Sequence, residues 1–323
     1  MKKITLLLSF IACVVFAQAQ LLVNENFNYT ANSALIGQGG WAILGTSVVN
    51  PLTVTAPGTP AITYANYPGS GVGNEVAVAN NGQDIATQFT AQTSGVVYYS
   101  VLVNVSAALT GDYFINLGEP SSSSFYFGRV FVKIDGTGTK VLFGILNASG
   151  GTPSPVATYS TTAYDLNTTV LLVVKVDVLT GASSLITNPD MATEPVTSNW
   201  ISSTAGTGVP TVAGLGEVNI RQGGAAAAAT LRLDGIRVAT SYNALFTVTG
   251  NSTLKADAAL SVSLIGKSLT VKNATEGSTV DIYSAVGSKV QSAQLTNGAI
   301  QLNDFSKGLY IVRVGNQSSK IML

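Results

Sequence analysis

The sequence predicts an all-β chain, a large antiparallel sandwich or jelly roll followed by a small C-terminal β-sandwich. Three observations carry this prediction. Apolar residues recur almost wholly with period two, no segment shows a convincing 3.6-residue period, and turn residues punctuate the short apolar runs throughout. Charged residues make up only 10% of the 323, against 33 glycines, which suits strands and turns better than solvent-facing helices.

The first residues read as a secretory leader, residues 1–19. Lys2 and Lys3 form the positive end, Ile4 to Phe16 the apolar stretch, and Ala17-Gln18-Ala19 a small-residue cleavage site that leaves Gln20 as the new terminus. An uncleaved anchor is disfavoured, because the apolar run falls short of the roughly 20 residues a span needs. No second membrane segment follows; the remaining apolar stretches are strand-length.

Beyond the leader, Val96 to Val103 reads as a strand buried on both faces. Phe125 to Val132 and Lys140 to Ile145 form an expected antiparallel pair, joined by the turn Asp135-Gly136-Thr137-Gly138. In Val170 to Val178 the valines 174, 176 and 178 face one way and Lys175 and Asp177 the other. Thr180-Gly181 turns into Ser184 to Thr187, which Asn188-Pro189 ends. The alanine run Ala225 to Ala229 favours helix by propensity but is too short to form one behind Gly223-Gly224, so it is read as a loop or the start of a strand.

A boundary falls near residues 243–255. The expected division is a jelly roll at 20–246, a linker at 247–259 and a small module at 260–323. From Gln20 to Asn243 there are seven basic and twelve acidic residues; from there to the end, seven basic and four acidic. The small module has its own alternating runs at Ser268–Val271, Thr279–Tyr283, Ile300–Leu302 and Leu309–Val314, and it ends on Lys320-Ile321-Met322-Leu323.

The chain has no histidine, and its one cysteine, Cys13, lies in the leader. Serine–histidine and cysteine–histidine nucleophile systems are therefore excluded, and zinc, haem and iron–sulfur sites nearly so. With no disulfide, the mature chain is held by its cores alone. Sixteen basic residues balance sixteen acidic ones with no basic stripe, which argues against nucleic acid as a partner. Oxygen-ligated calcium and two-carboxylate glycoside chemistry remain open.

The small module resembles the type A sorting domain of the type IX secretion system of the Bacteroidetes. The resemblance runs through Leu269-Thr270-Val271, Val280-Asp281-Ile282-Tyr283-Ser284 with Val286-Gly287-Ser288-Lys289-Val290, Ile300-Gln301-Leu302, and Lys307-Gly308-Leu309-Tyr310-Ile311-Val312, to Lys320-Ile321. It implies transit through the periplasm, recognition by the type IX machinery, export across the outer membrane, and release or attachment at the cell surface.

The large module resembles the concanavalin A-like (laminin G-like) jelly rolls. Glu25-Asn26-Phe27-Asn28-Tyr29 with Gly37-Gln38-Gly39-Gly40-Trp41 is similar to the opening of secreted members. Leu171 to Asp177 with Thr180-Gly181 and Asn188-Pro189 is similar to their hairpin, and Leu233-Asp234-Gly235-Ile236-Arg237-Val238 to their closing strand. In many jelly rolls the first and last strands pair, which here brings Glu25 close to Asp234. The apolar phase changes there, so a bulge is expected at Asp234-Gly235. Related modules often hold a structural calcium at this place, with Glu25 and Asp234 as the carboxylates. The alternative reading of the same two residues is a capping or salt-bridged pair with Arg232 or Arg237.

Glycosidases of this fold space two glutamates and an aspartate along one strand, and no such segment is present. Glu217-Val218-Asn219-Ile220-Arg221 has the alternation but one carboxylate, and reads as a polar sheet face. No catalytic residue is assigned. Aromatic platforms for sugar rings have candidates in Trp41, Tyr64, Tyr67, Tyr113, Phe125, Tyr126, Tyr159, Tyr164 and Trp200, although core burial is the commoner fate of an aromatic residue in a sandwich. The ligand-binding expectation centres on Trp200, Tyr64, Tyr67 and Asn66. The expected function is a secreted, non-enzymatic protein that binds polysaccharide or a surface. The alternatives are a structural or adhesin-like surface protein without a sugar site and, third, a glycan-degrading hydrolase or lyase.

Overall fold

A computed structural model describes residues 19–122, 126–148, 154–203, 205–247, 260–272, 274, 276–315 and 317–322. The leader up to Gln18, Phe125 and nearly all of the expected linker lie outside the described residues. The chain divides into two compact units, Met1–Val248 and Thr249–Leu323.

The first unit begins with β1 (Leu21–Glu25), β2 (Ser33–Ala34), β3 (Ala42–Leu44), β4 (Thr53–Thr55), β5 (Glu75–Val78) and β6 (Asp84–Gln92). The long central strands follow: β7 (Val96–Ala107), β8 (Asp112–Gly118), β9 (Tyr126–Ile134) and β10 (Lys140–Leu146). Next come β11 (Thr158–Tyr159), β12 (Tyr164–Asp165), β13 (Thr169–Asp177), β14 (Ser183–Thr187), β15 (Ile201–Ser202), β16 (Leu215–Ile220) and β17 (Thr230–Ala239). One short helix, α1 (Tyr242–Phe246), closes the unit, its first turn capped by the Ser241 hydroxyl.

These strands form two packed sheets. The nine-stranded sheet runs β15-β14-β13-β7-β17-β5-β4-β2, with β1 also paired to β17; the eight-stranded sheet runs β11-β10-β9-β8-β16-β6-β3, with β12 on β10. Alternation decides what lies between them. Tyr99, Val101 and Val103 of β7, Leu231 and Leu233 of β17, Phe143 of β10 and Val218 and Ile220 of β16 join one buried core. Burying each such side chain contributes roughly 1.5–3 kcal/mol. Trp41 belongs to this core, stacked on Phe27 at 6.2 Å.

The expected pair of strands at 125–145 is β9 with β10, antiparallel. The turn between them is tied by Asp135 Oδ1, which accepts the N–H groups of Thr139 and Lys140, while Gly138 supplies a φ of +74°. The alanine run is a turn that leads into β17.

One detail differs from expectation. The Lys175 side of β13 is not open: Leu171 and Val173 are buried there in a second apolar cluster with Leu102, Ile186, Trp200, Tyr242 and Leu245. Helix α1 and the segment before β15 cover the outer face of the nine-stranded sheet, which is why β7 and β13 are apolar on both faces.

The second unit comprises β18 (Ser261–Ile265), β19 (Ser268–Lys272), β20 (Thr279–Ser284), β21 (Lys289–Gln294), β22 (Ala299–Gln301), β23 (Leu309–Val314) and β24 (Gln317–Met322). They make a three-stranded sheet, β18-β19-β22, and a four-stranded sheet, β21-β20-β23-β24. Leu269, Val271, Val280, Ile282, Ile300, Tyr310 and Val312 form its core.

Candidate ligand-binding face

The outward face of the eight-stranded sheet carries one group of polar side chains. Val218 and Ile220 of β16 point into the core, so Glu217 and Asn219 point out. Glu217 lies opposite Gln88 of β6 on one side and Gly118 of β8 on the other; Asn219 lies opposite Ala86 and Asn116. Both are deeply buried, at 1% and 0% exposure.

Gly118 makes the room. A Cβ there would stand 2.6 Å from Glu217 Oε1 and 2.7 Å from Asn219 Nδ2. The Ser121 N–H donates to Glu217 Oε2 at 3.0 Å, and Gln88 Nε2 donates to the Ser121 hydroxyl at 2.9 Å. Glu217 Oε1 and both amide atoms of Asn219 make no hydrogen bond of normal length among the described residues, although the two side chains lie close enough for Asn219 to favour the ionised carboxylate. An unsatisfied buried polar group costs about 1–3 kcal/mol. Burial pushes the Glu217 carboxyl up to about 6, against the opposing pull of the Ser121 N–H and the Asn219 side chain. Glu217 lines a cleft of about 650 Å³, bounded also by Gly40, Leu44, Ala86, Gln88 and Ser121.

Beside these groups lies a row of half-buried aromatic rings. Register places Tyr113 of β8 opposite Phe131 of β9, Phe131 opposite Gly144 of β10, and Gly144 opposite Tyr159 of β11. Tyr113 and Phe131 are 5.5 Å apart between ring centres, and Tyr126 stands 6.4 Å from Tyr113. The Tyr159 ring lies over Gly144, where a Cβ would stand 2.7 Å from Cδ1. Arg221 sits 4.3 Å and Arg129 5.1 Å from the centre of Tyr113, and Lys133 Nζ 4.1 Å from that of Tyr159. Burial pushes the Tyr126 and Tyr159 hydroxyls up to about 12, so both remain protonated donors at neutral pH.

The residues singled out from the sequence lie elsewhere. Trp200 is not in an exposed loop. It is 6% exposed, packed edge-on against Tyr242 and covered by Lys175 Nζ at 4.2 Å, and its Nε1 donates to the Pro195 carbonyl at 3.0 Å. Tyr67, 3% exposed, packs in the same outer cluster, and its hydroxyl bonds the Gly235 carbonyl at 2.5 Å and Ser100 at 2.8 Å. Neither ring offers a face to a ligand, because the outer apolar face of the nine-stranded sheet claims both. Tyr64 is half-buried against that cluster, and Asn66 is an exposed turn residue with φ +62°. None of the four adjoins Glu217 in strand register. Sequence reasoning marked Tyr113, Tyr126 and Tyr159 as candidates and saw the Glu217–Asn219 alternation, but missed Phe131, Arg129 and Gly118. Glycine inside strand patterns, at 118 and 144, was the signal available.

Glu25 and Asp234 do fall on paired strands, since β1 pairs β17 with Glu25 opposite Ile236. The β17 ladder shifts register between Asp234 and Arg237, where Gly235 has φ +61°. Glu25 is spent on three donors: the Phe27 N–H at 2.8 Å, the Tyr29 hydroxyl at 2.6 Å and Trp41 Nε1 at 3.0 Å. Arg232 pairs with Glu75, and Arg237 donates to the Pro68 carbonyl. Asp234, 2% exposed, is pushed up to about 8 by burial, with nearby Glu75 and Glu25 adding to the rise. Among the described residues no three acidic side chains gather as a metal cluster. Asp234 and the partnerless Asn26 Oδ1 are hard oxygen donors of the kind calcium takes.

Residues 265–323 match the secretion system C-terminal sorting domain family. The tail therefore marks the chain for export by the type IX system to the cell surface or beyond. No helix among the described residues is long and apolar enough to cross a membrane. No curated protein is similar to the chain. Among solved structures it is similar to domain 4 of AbnA, an extracellular GH43 arabinanase from Geobacillus stearothermophilus, in complex with arabinotriose. The identity is 14%, over 71% of this chain and 97% of that one, with a TM-score of 0.39. A glycosyl hydrolase family protein from Mycobacterium fortuitum matches at 13% identity, over 68% and 99%, TM-score 0.39. The CBM2 module of the Lactobacillus casei BL23 phage J-1 evolved Dit matches at 10%, over 68% and 95%, TM-score 0.38.

Proposed function

We propose that the first unit is a non-enzymatic carbohydrate-binding module, displayed by the export tail, that takes polysaccharide on the outward face of its eight-stranded sheet. One observation carries the reading: Glu217, which lines a cleft, and Asn219 share the outward sheet face with a row of half-buried aromatic rings. A sugar presents what that arrangement lacks, hydroxyls that donate and accept at one edge and an apolar ring face for stacking.

Carboxylate spacing favours binding over hydrolysis. The nearest strand-borne carboxylate on this face, Asp84, ion-pairs with Arg221, at 3.9 Å from its Nε. Four residues of β-structure separate the levels of Glu217 and Arg221, about 13 Å, beyond the roughly 5–9.5 Å at which glycosidase acids work.

Affinity electrophoresis of the full chain against a polysaccharide panel tests the reading. Retention by at least one polymer, weakened in Asn219→Leu and Tyr113→Ala, is the expected result. No retention by any polymer would favour a structural or adhesive surface role, and release of reducing sugar would favour an enzyme.

A structural calcium ion at Asp234 is also proposed. Its support is a buried carboxylate near Glu75 and Glu25, with Asn26 Oδ1, just after β1, making no hydrogen bond among the described residues.

A further inference from the structure

We infer that the ligand is an anionic polysaccharide, carrying carboxylate or sulfate groups, and that Arg129 and Lys133 receive its charge. The inference rests on the carbohydrate-binding reading above and names the class of sugar.

The first unit as a whole is acidic, with seven basic residues against twelve acidic ones between Gln20 and Asn243. Its surface therefore tends to repel polyanions. The aromatic row is an exception, because three of the seven cations, Arg129, Lys133 and Arg221, converge on it. Arg221 is neutralised, with Nη1 2.7 Å from Asp112 and Nε 3.9 Å from Asp84. Arg129 and Lys133 have no ion-pair partner among the described residues. Arg129 is 7% exposed. One of its guanidinium nitrogens donates to the Ala148 carbonyl at 2.7 Å, the Tyr113 hydroxyl interacts with the same group, and its buried Nε–H has no acceptor among the described residues. A buried cation with a free donor is costly unless something supplies the acceptor.

Position agrees with charge. Arg129 lies over Tyr113 and within 5.7 Å of the Phe131 ring centre, and Lys133 lies over Tyr159. A sugar ring stacked along the row brings an equatorial carboxylate or sulfate towards Lys133, the more exposed of the two cations, with Arg129 beneath the same rings. The Lys133 ammonium donates to either group directly, and the buried Arg129 charge adds attraction at short range. At the other end, Glu217 and Asn219 meet hydroxyls rather than anions.

The test titrates the full chain with alginate and polygalacturonate for carboxylate, κ-carrageenan for sulfate, and laminarin and arabinan as neutral polymers, at low salt and at about 0.5 M salt. The expected result is about tenfold tighter binding to one anionic class than to any neutral polymer at low salt, with the preference collapsing at high salt. Lys133→Gln and Arg129→Gln each lower the anionic-to-neutral ratio about fivefold. Lys267→Gln, in the second unit, makes the same charge change and leaves the ratio unaltered. Which anionic arm wins tells carboxylate from sulfate. Equal binding of neutral and anionic polymers, or an anionic preference that neither substitution alters, overturns the inference while the carbohydrate reading stands. No binding of any polymer overturns both.

Discussion

Gly118 and Glu217 face each other on neighbouring strands, and the missing side chain at 118 is what lets the Glu217 carboxylate lie against the sheet. A Cβ at that position would stand 2.6 Å from Oε1. Gly118→Ala is expected to displace Glu217 and Asn219 together. Polysaccharide affinity should fall about tenfold, at a stability cost of about 1–3 kcal/mol from overpacking. Affinity electrophoresis beside a urea melt checks both. Unchanged binding would mean that the two side chains play no part.

Glu217 makes stability depend on pH in a definite direction. Its carboxyl is raised from 4.5 to about 6, so folding favours its neutral form. Its contribution to stability is fully present below pH 4.5 and is lost as the pH rises through about 6. Glu217→Gln is expected to gain about 1–2 kcal/mol over the parent at pH 7 and nothing near pH 4. Comparing the two proteins' melting temperatures across that range isolates Glu217 from every other titrating group.

Removal of calcium bears on Asp234. Adding calcium is expected to raise the melting temperature and a chelator to return it, because a cation would favour the ionised form of a carboxylate that burial holds protonated up to about pH 8. Asp234→Asn should abolish the response. A parent protein indifferent to both additions would leave Asp234 as a protonated, purely structural group.

Trp200 should behave as core. Its ring packs on Tyr242 and under Lys175, so Trp200→Ala is expected to lose roughly 3–5 kcal/mol of stability. Whatever protein remains folded at low temperature should bind polysaccharide as the parent does. A loss of binding without loss of stability would restore Trp200 as a platform.

Local signals were the legible ones. The hairpin around Asp135, the bulge at Gly235 and the strands of the export tail each announce themselves within a few residues, through turn chemistry and period-two alternation. The covering of the nine-stranded sheet was not legible. Helix α1 is five residues long, too short for a 3.6 period to show, and the packing of Trp200 and Tyr67 is decided by partners more than 30 residues away in sequence, Tyr242 for one and Gly235 for the other. The binding face was half legible. Alternation marked Glu217 and Asn219, but only register shows that Gly118, Tyr113 and Phe131 come to lie in the same plane.

The pairing of β1 with β17 also bears on how the chain travels. Leu21 is held opposite Ala239, so the sheet cannot be completed until more than two hundred intervening residues have been synthesised and threaded. Closing so long a loop is slow compared with forming any local hairpin. The edge left by the opening strand is sealed only when the far end of the unit arrives.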